Sequence, residues 1–211
     1  MKSLTKFWPL GFLVMLLFVS GCITWTAKTE DMSGIYGKPT IAGAPQIIIT
    51  DLSDERSDKK LVGRISALNL ATQTPINVII TNRIASKLRD QGFNVQKVEL
   101  TGSEKKAELV TALRTKNGKM LFTGRLEHFF IESSDAILET AKGRVNFRID
   151  ILDDTGNSIF DRTYTAYAEK HIGLGGGPGS EELIEKTIQA SVNKLFEDTE
   201  FQQFLAKAKN M

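Results

Sequence analysis

Cys22 is the only cysteine of the 211-residue chain, and its neighbours give it a specific chemistry. It follows Val19, Ser20 and Gly21, and the four residues match a bacterial lipobox at the end of an apolar run. A lipobox implies that a diacylglyceryl thioether forms on the cysteine sulfur, that cleavage follows Gly21 and that the new amino group is acylated. Cys22 is therefore predicted to be a lipidation site with no redox or catalytic role.

The residues before Cys22 have the architecture of a signal peptide. Lys2 and Lys6 give a cationic start, and residues 7–19 form an apolar core. A membrane-spanning helix needs about 20 apolar residues, and this run is shorter. The sequence therefore favours a lipoprotein signal peptide over 1–21, with an uncleaved membrane anchor as the less favoured alternative.

Lipid attachment would make the membrane the first partner of the mature chain. Each buried methylene of an acyl chain contributes about 0.8 kcal/mol, so two or three chains hold a protein at a bilayer permanently for practical purposes. Ile23 follows the cysteine, whereas lipoproteins retained at the inner membrane usually carry Asp there. For a Gram-negative source, the predicted location is the periplasmic face of the outer membrane.

The mature chain is predicted to be electrically neutral. The sequence has 27 Lys and Arg residues against 25 Asp and Glu residues, and removal of 1–21 takes away Lys2 and Lys6. Nucleic-acid binding requires a basic surface, so no nucleic-acid partner is expected. Without a second cysteine there is no internal disulfide, and stability must come from a hydrophobic core.

An acidic segment follows the first predicted strand and contains Asp51, Asp54, Glu55 and Asp58. Oxygen ligands at the end of a strand can gather a calcium or magnesium ion. The segment lacks the glycine and the distal glutamate of an EF-type loop, and three basic residues lie among its acids. A solvated or internally salt-bridged loop is therefore favoured, and no metal is predicted.

The remaining motifs do not form a recognisable catalytic site. The glycine-rich stretch 171–180 fails the spacing of phosphate-binding loops. His128 and His171 lie far apart in the sequence, and no Gly-x-Ser-x-Gly elbow occurs. The chain is predicted to be non-enzymatic and to need no cofactor. Paired carboxylates such as Asp51 and Asp54 leave an envelope hydrolase acting on glycan or lipid as the alternative.

The C-terminal residues Phe201, Phe204 and Leu205 share one face of a predicted helix. Such a face can dock a partner or touch a membrane, and it is the candidate partner-binding surface. Packing against the sheet of the same domain is nevertheless the favoured interpretation for an ordinary amphipathic helix.

The elements that must position these residues begin with a buried strand over 46–50. Thr74 and Pro75 predict the start of a helix, and Gly92 predicts its end. A strand over 93–100 follows, and strand, helix and strand in sequence favour a parallel crossover. Ser103 is predicted to cap a second helix that runs from Glu104 to 116. No element is assigned to 61–73.

The next fifty residues alternate with a period of two and predict three antiparallel strands. In the first of these strands, His128 and Phe130 are placed on the same face as Phe122 and Leu126. Ser180 is predicted to start a helix, and Asp198 or Thr199 to cap a last one. These elements predict an α+β fold, a mixed sheet that opens with a parallel β-α-β unit and continues as an antiparallel meander, with its helices mainly on one face.

Taken together, the lipobox at Cys22, the segment IIITDLSDERSD, the helix TPINVIITNRIASKLRDQGF and the ending DTEFQQFL resemble the YajG-like lipoproteins of Gram-negative envelopes. The resemblance implies a location and a domain shape, and it supplies no catalytic residue. The predicted domains are a signal peptide over 1–21, a lipidated N-terminus and flexible tether over 22–45, and one periplasmic domain over 46–211. The predicted function is an accessory or binding subunit in envelope biogenesis or maintenance, with an unknown envelope protein as its partner.

Overall fold

The computed structural model describes residues 22–25, 43–65, 68–133, 139–172 and 177–210. Within these ranges lie nine strands and four helices. The strands are β1 (Cys22–Trp25), β2 (Gln46–Asp51), β3 (Ser53–Asp54), β4 (Leu61–Ile65), β5 (Leu68–Thr72), β6 (Asn94–Thr101), β7 (Met120–Ser133), β8 (Glu139–Asp153) and β9 (Ser158–Ile172). The helices are α1 (Ile76–Asp90), α2 (Lys106–Thr115), α3 (Gly177–Phe196) and α4 (Thr199–Ala208).

The nine strands form one mixed sheet in which β7 is the central strand. Along one edge, β7 pairs in parallel with β2, then β3, then β4. Along its other edge, β7 pairs antiparallel with β8, which pairs antiparallel with β9. The predicted α+β class, with a mixed sheet, is confirmed.

The predicted β-α-β crossover is present, because β2 and β6 are parallel neighbours joined through α1. Gly92 ends α1 as predicted: its φ is +91°, and the amide of Phe93 donates to the Leu88 carbonyl at 3.1 Å. This is the pattern of a Schellman motif. The start of α1 differs by one residue, because Pro75 occupies the N-cap position and no side chain caps the helix there.

The unassigned segment 61–73 contains an antiparallel pair of strands, β4 and β5. Gly63 in β4 lies so close to β7 that an added Cβ would come within 2.4 Å of the Ile131 carbonyl oxygen. At the outer edge of this pair, β1 runs parallel to β5. The first four residues of the predicted tether are thus in an edge strand, and 26–42 lie outside the described residues.

The predicted meander is formed by β7, β8 and β9, but the face assignments of His128 and Phe130 are wrong. The pairing of β7 with β8 shifts between Leu126 and His128, which leaves Glu127 as the extra residue of a β-bulge. A bulge reverses the alternation that follows it. Phe129 therefore joins Leu126 in the core, whereas His128 and Phe130 lie on the opposite face, where His128 is exposed.

The hydrophobic core lies between one face of the sheet and the helices α1, α3 and α4. Helix α3 begins at Gly177, three residues before the predicted start at Ser180. It packs closely on β8 at Gly143, where an added Cβ would meet the Thr187 side chain. None of the described helices is long and apolar enough to cross a membrane.

Helix α2 lies on the opposite face of the sheet, over the start of β7. Leu113 of this helix packs with Ile48, Leu121 and Leu152 in a smaller apolar cluster. Its end at Asn117 and Gly118 agrees with the sequence, since Asn117 has a φ of +53°. The start of α2 differs from the prediction, because its N-cap is Lys105 and not Ser103. Beyond α2, none of the described helices covers this face.

Candidate functional site

The predicted acidic loop contains a buried ion pair. Arg56 contacts both carboxylate oxygens of Asp54, at 2.9 and 2.7 Å. Only 6% and 5% of their side chains are exposed. The guanidinium also donates to the carbonyl oxygens of Lys59 and Leu61, so the loop is wrapped around it. The internally salt-bridged loop that the sequence favoured is confirmed at these residues.

Asp51, at the end of β2, is paired with a second cation. Lys97 of β6 reaches its carboxylate at 2.5 Å and donates to the Asn82 side-chain oxygen of α1 at 3.0 Å. Asp51 and Asp54 both line a cleft of about 650 Å³ between the ends of β2 and β6 and the start of α1. Because each carboxylate faces its own cation, neither is placed as a free acid or base. In the described part of the chain, no group of three or more His, Cys, Asp or Glu side chains could hold a metal ion.

The candidate partner-binding surface on the last helix is corrected by the structure. Phe201 has 0% of its surface exposed and Leu205 has 2%. Phe201 packs edge-on against Phe122 of β7 and Phe196 of α3, and Phe204 is partly buried beside it. The apolar face of α4 thus completes the core of its own domain, because the sheet face beneath it would otherwise be uncovered.

The lipobox falls largely outside the described residues, which do not include Val19, Ser20 and Gly21. Cys22 is described through its backbone, which opens β1 in register with Asn69 of β5. Its lipidation stays a prediction.

A broad polar surface is found where β7, β8 and β9 are covered by none of the helices that the structure describes, and we call it the open sheet face. On the side of these strands opposite α3, it includes Arg125, Glu127, His128, Phe130, Glu132, Lys142, Arg144, Asn146, Arg148, Asp150, Asp161, Thr163, Thr165, Tyr167 and Glu169. Three strands supply it in register, so side chains from different strands stand side by side.

Two aromatic residues flank an arginine in one row of the open sheet face. Phe130, Arg144 and Tyr167 are cross-strand neighbours. Tyr167 is 65% exposed, and the Arg144 guanidinium lies 5.8 Å from the centre of its ring. This distance is within the range of a cation–π contact. Among the described residues, Arg144 forms no ion pair with a carboxylate.

The neighbouring rows of the open sheet face are held by polar contacts. The Asn146 amide donates to Glu127 at 2.8 Å, and the Thr165 hydroxyl donates to Asn146 at 3.1 Å. Arg148 pairs with Asp161, and this hydrogen bond is the main cause that lowers the pKa of the Asp161 carboxyl. These contacts fix side chains that would otherwise be mobile, so the surface is pre-organised.

His128 belongs to the open sheet face and not to the core. Its ring lies 6.4 Å from that of Phe130. Partial burial lowers the pKa of its imidazole, and the positive charges of Arg144 and Arg56 add to this effect. The imidazole is therefore neutral at pH 7 and can both donate and accept a hydrogen bond. The sequence pattern places His128 in the core, because the period-two alternation of β7 gives no sign of the bulge at Glu127.

The fold and the open sheet face define a class of protein, an α+β domain in which the described helices leave one antiparallel surface uncovered. No family model matches the chain, and the comparison with curated proteins found no match. The resemblance to YajG-like lipoproteins therefore stays a prediction.

Three solved bacterial structures are similar to the chain in part of their fold. Protein XCC0632 from Xanthomonas campestris is 9% identical, with 89% of this chain and 95% of that chain covered and a TM-score of 0.49. The PelC dodecamer from Paraburkholderia phytofirmans is 13% identical, with 75% and 91% covered and a TM-score of 0.44. Lipoprotein GNA1162 from Neisseria meningitidis is 12% identical, with 73% and 99% covered and a TM-score of 0.34. The similar structures thus include a lipoprotein, at identities that assign no role.

Proposed function

We propose that the chain is a lipoprotein of the outer membrane that binds another envelope component in the periplasm and has no enzymatic activity of its own. The open sheet face is the observation that carries this proposal. Tyrosine and arginine are enriched among the residues that contribute most of the binding energy at protein interfaces, and Tyr167 and Arg144 lie side by side on this face. The partner is expected to place a carboxylate opposite Arg144 and apolar surface against Tyr167.

The lipidation part of the proposal rests on the sequence. Cys22 follows a cationic and apolar leader with Val-Ser-Gly before it, and Ile23 supports outer-membrane rather than inner-membrane retention. An anchored protein meets only partners within reach of its membrane, and this raises the effective concentration for a weak interface.

The geometry does not favour the alternative, an envelope hydrolase. That mechanism needs one carboxylate free to act as acid and a second as base or nucleophile. Asp51 and Asp54 are instead held by Lys97 and Arg56.

The experiment is site-specific photo-crosslinking in living cells of the source bacterium. A photo-reactive residue replaces Tyr167 on the open sheet face, and the matched control replaces Glu200, whose side chain is 71% exposed on α4. We expect an envelope protein to be captured from position 167 and not from position 200. A Cys22→Ala version of the position-167 variant should lose the anchor and most of the capture. Equal capture from both positions, or none from either, would contradict the proposal.

A further inference from the structure

We propose that the pairing of β1 with β5 holds the domain directly on its bilayer. The corner of the sheet where β1 begins then lies at the phospholipid headgroups, and the domain does not hang from a free tether. This inference rests on the proposed lipidation of Cys22, and the partner it names is the bilayer that would hold the lipid.

The register of the strands places the anchor inside the sheet. Cys22 is the cross-strand neighbour of Asn69 in β5, and Asn69 is the neighbour of Arg64 in β4. Neighbouring strands are about 4.8 Å apart, so the backbone of Arg64 is about 10 Å from that of Cys22. Cys22, the residue that would carry the acyl chains, is itself paired with β5 in the sheet. No length of flexible chain separates it from the domain.

The chemistry of this corner suits a headgroup surface. Arg64 is exposed, and its Nε donates to the Asn69 side-chain oxygen at 3.2 Å. Among the described residues, no carboxylate forms an ion pair with Arg64, although Glu132 lies beside it in register. A guanidinium binds phosphate oxygens through paired hydrogen bonds. A basic residue at an anionic surface is also attracted to it electrostatically.

The opposite end of the molecule is then far from the bilayer. β7 begins beside Asp153 and ends beside β4, at the corner that holds Arg64. It has 14 residues, and at about 3.3 Å per residue it spans roughly 40 Å. The turn between β8 and β9, which contains the exposed Asn157, lies at the distant end.

The experiment measures the depth of two fluorescent labels on the full lipidated chain in phospholipid vesicles that carry a nitroxide quencher on their headgroups. Cysteines are introduced as Glu132→Cys, near the corner, or Asn157→Cys, at the distant end. The lipid would occupy the thiol of Cys22, so each variant offers one free thiol. We expect several-fold stronger quenching at position 132 than at position 157.

A variant with a flexible insertion tests whether the pairing of β1 causes the difference in quenching between positions 132 and 157. Six Gly and Ser residues inserted after Cys22 separate the lipid from the strand, and the quenching at position 132 should fall to the level at position 157. A lipidated chain with two equally quenched labels overturns the orientation and leaves the proposed lipidation intact. An insertion that leaves the difference unchanged also overturns it. A chain whose mass shows no lipid overturns both the proposed anchor and this inference.

Discussion

Asp54 and Arg56 are two residues apart in sequence and almost completely shielded from solvent. Burying two charges is costly, and the cost is offset only when the pair and its remaining donors are fully bonded. Here the guanidinium reaches two backbone carbonyl oxygens in addition to the carboxylate. The pair therefore determines the path of the loop between β3 and β4.

Replacing Arg56 with alanine should destabilise the domain strongly. The change leaves the Asp54 carboxylate buried without its cation, and such losses cost about 3–5 kcal/mol. The free energy of unfolding from urea titration measures the effect. The matched control is Lys59→Ala, which removes an exposed cation from the same loop and should change stability by less than about 0.5 kcal/mol. A cost for Arg56→Ala as small as that of the control would contradict the buried pair.

Asp198 determines a pH dependence at the start of α4. Its carboxylate accepts hydrogen bonds from the Glu200 amide at 2.9 Å and the Tyr164 hydroxyl at 2.8 Å, and it pairs with Arg162. Burial alone would raise the pKa of this carboxyl, but these contacts outweigh it and lower the pKa below 3.8. The stabilisation is therefore complete above about pH 4 and is lost as the pH falls through the lower pKa of the folded state.

Asp198→Ala should cost about 1–2 kcal/mol at pH 7, because the helix loses its cap. Its stability should also fall less steeply than that of the wild type between about pH 4 and pH 2. Thermal unfolding across this range measures both effects. Tyr164→Phe removes one hydrogen bond and keeps the cap, so it should give a smaller loss. Parallel pH profiles for the wild type and Asp198→Ala would show that Asp198 is not the titrating group.

At the scale of the element, the end of α1 depends on the backbone of Gly92. Its φ is +91°, and no atom of the described residues lies within 4 Å of the position where a Cβ would stand. Gly92→Ala should therefore cost about 1 kcal/mol purely through its backbone conformation. Gly92→Asn is the matched variant and should cost less, since asparagine tolerates this conformation. Urea unfolding measures both, and equal costs would show that packing and not conformation decides.

Several elements could be predicted because their signals are local. Gly92 and Asn117 end helices through their own backbone conformation, and Asp198 caps α4 through its own side chain. The bulge at Glu127 could not be predicted, because it depends on pairing with β8. Similarly, β4 carries a glycine where β7 approaches closely, and this interrupts the alternation that would have identified a strand.

In the candidate site, too, local features could be predicted and features that depend on pairing between strands could not. An internally paired loop could be expected at Asp54 because acids and bases lie close together in one short segment, but the sequence did not show that Asp54 and Arg56 are buried. The open sheet face was not, since its rows combine residues such as Phe130, Arg144 and Tyr167 from three strands. The apolar residues of α4 suggested a binding surface only because the sequence does not show which face of the sheet they cover.

At the scale of the whole molecule, β1 makes the N-terminus part of the folded sheet. The chain has two tryptophans, Trp8 and Trp25, and Trp8 lies in the predicted signal peptide. Trp25 is the cross-strand neighbour of Thr72. In a soluble 22–211 chain with Cys22→Ser, the fluorescence of Trp25 should change together with far-UV circular dichroism during unfolding, because β1 is lost with the sheet. Unchanged emission through the transition would show that β1 is not paired.

The central position of β7 also has a consequence for the time course of folding. β2, β3 and β4 all precede β7 in the chain, yet each pairs with it in parallel. Contacts between residues so far apart in sequence form slowly, because a long loop must close first. The strands of the N-terminal half cannot complete their pairing until β7 has formed up to Ser133, regardless of the order in which the helices form. A chain that reaches its compartment unfolded would therefore expose the strands 46–65 for longest, and these are the segments a chaperone would have to protect.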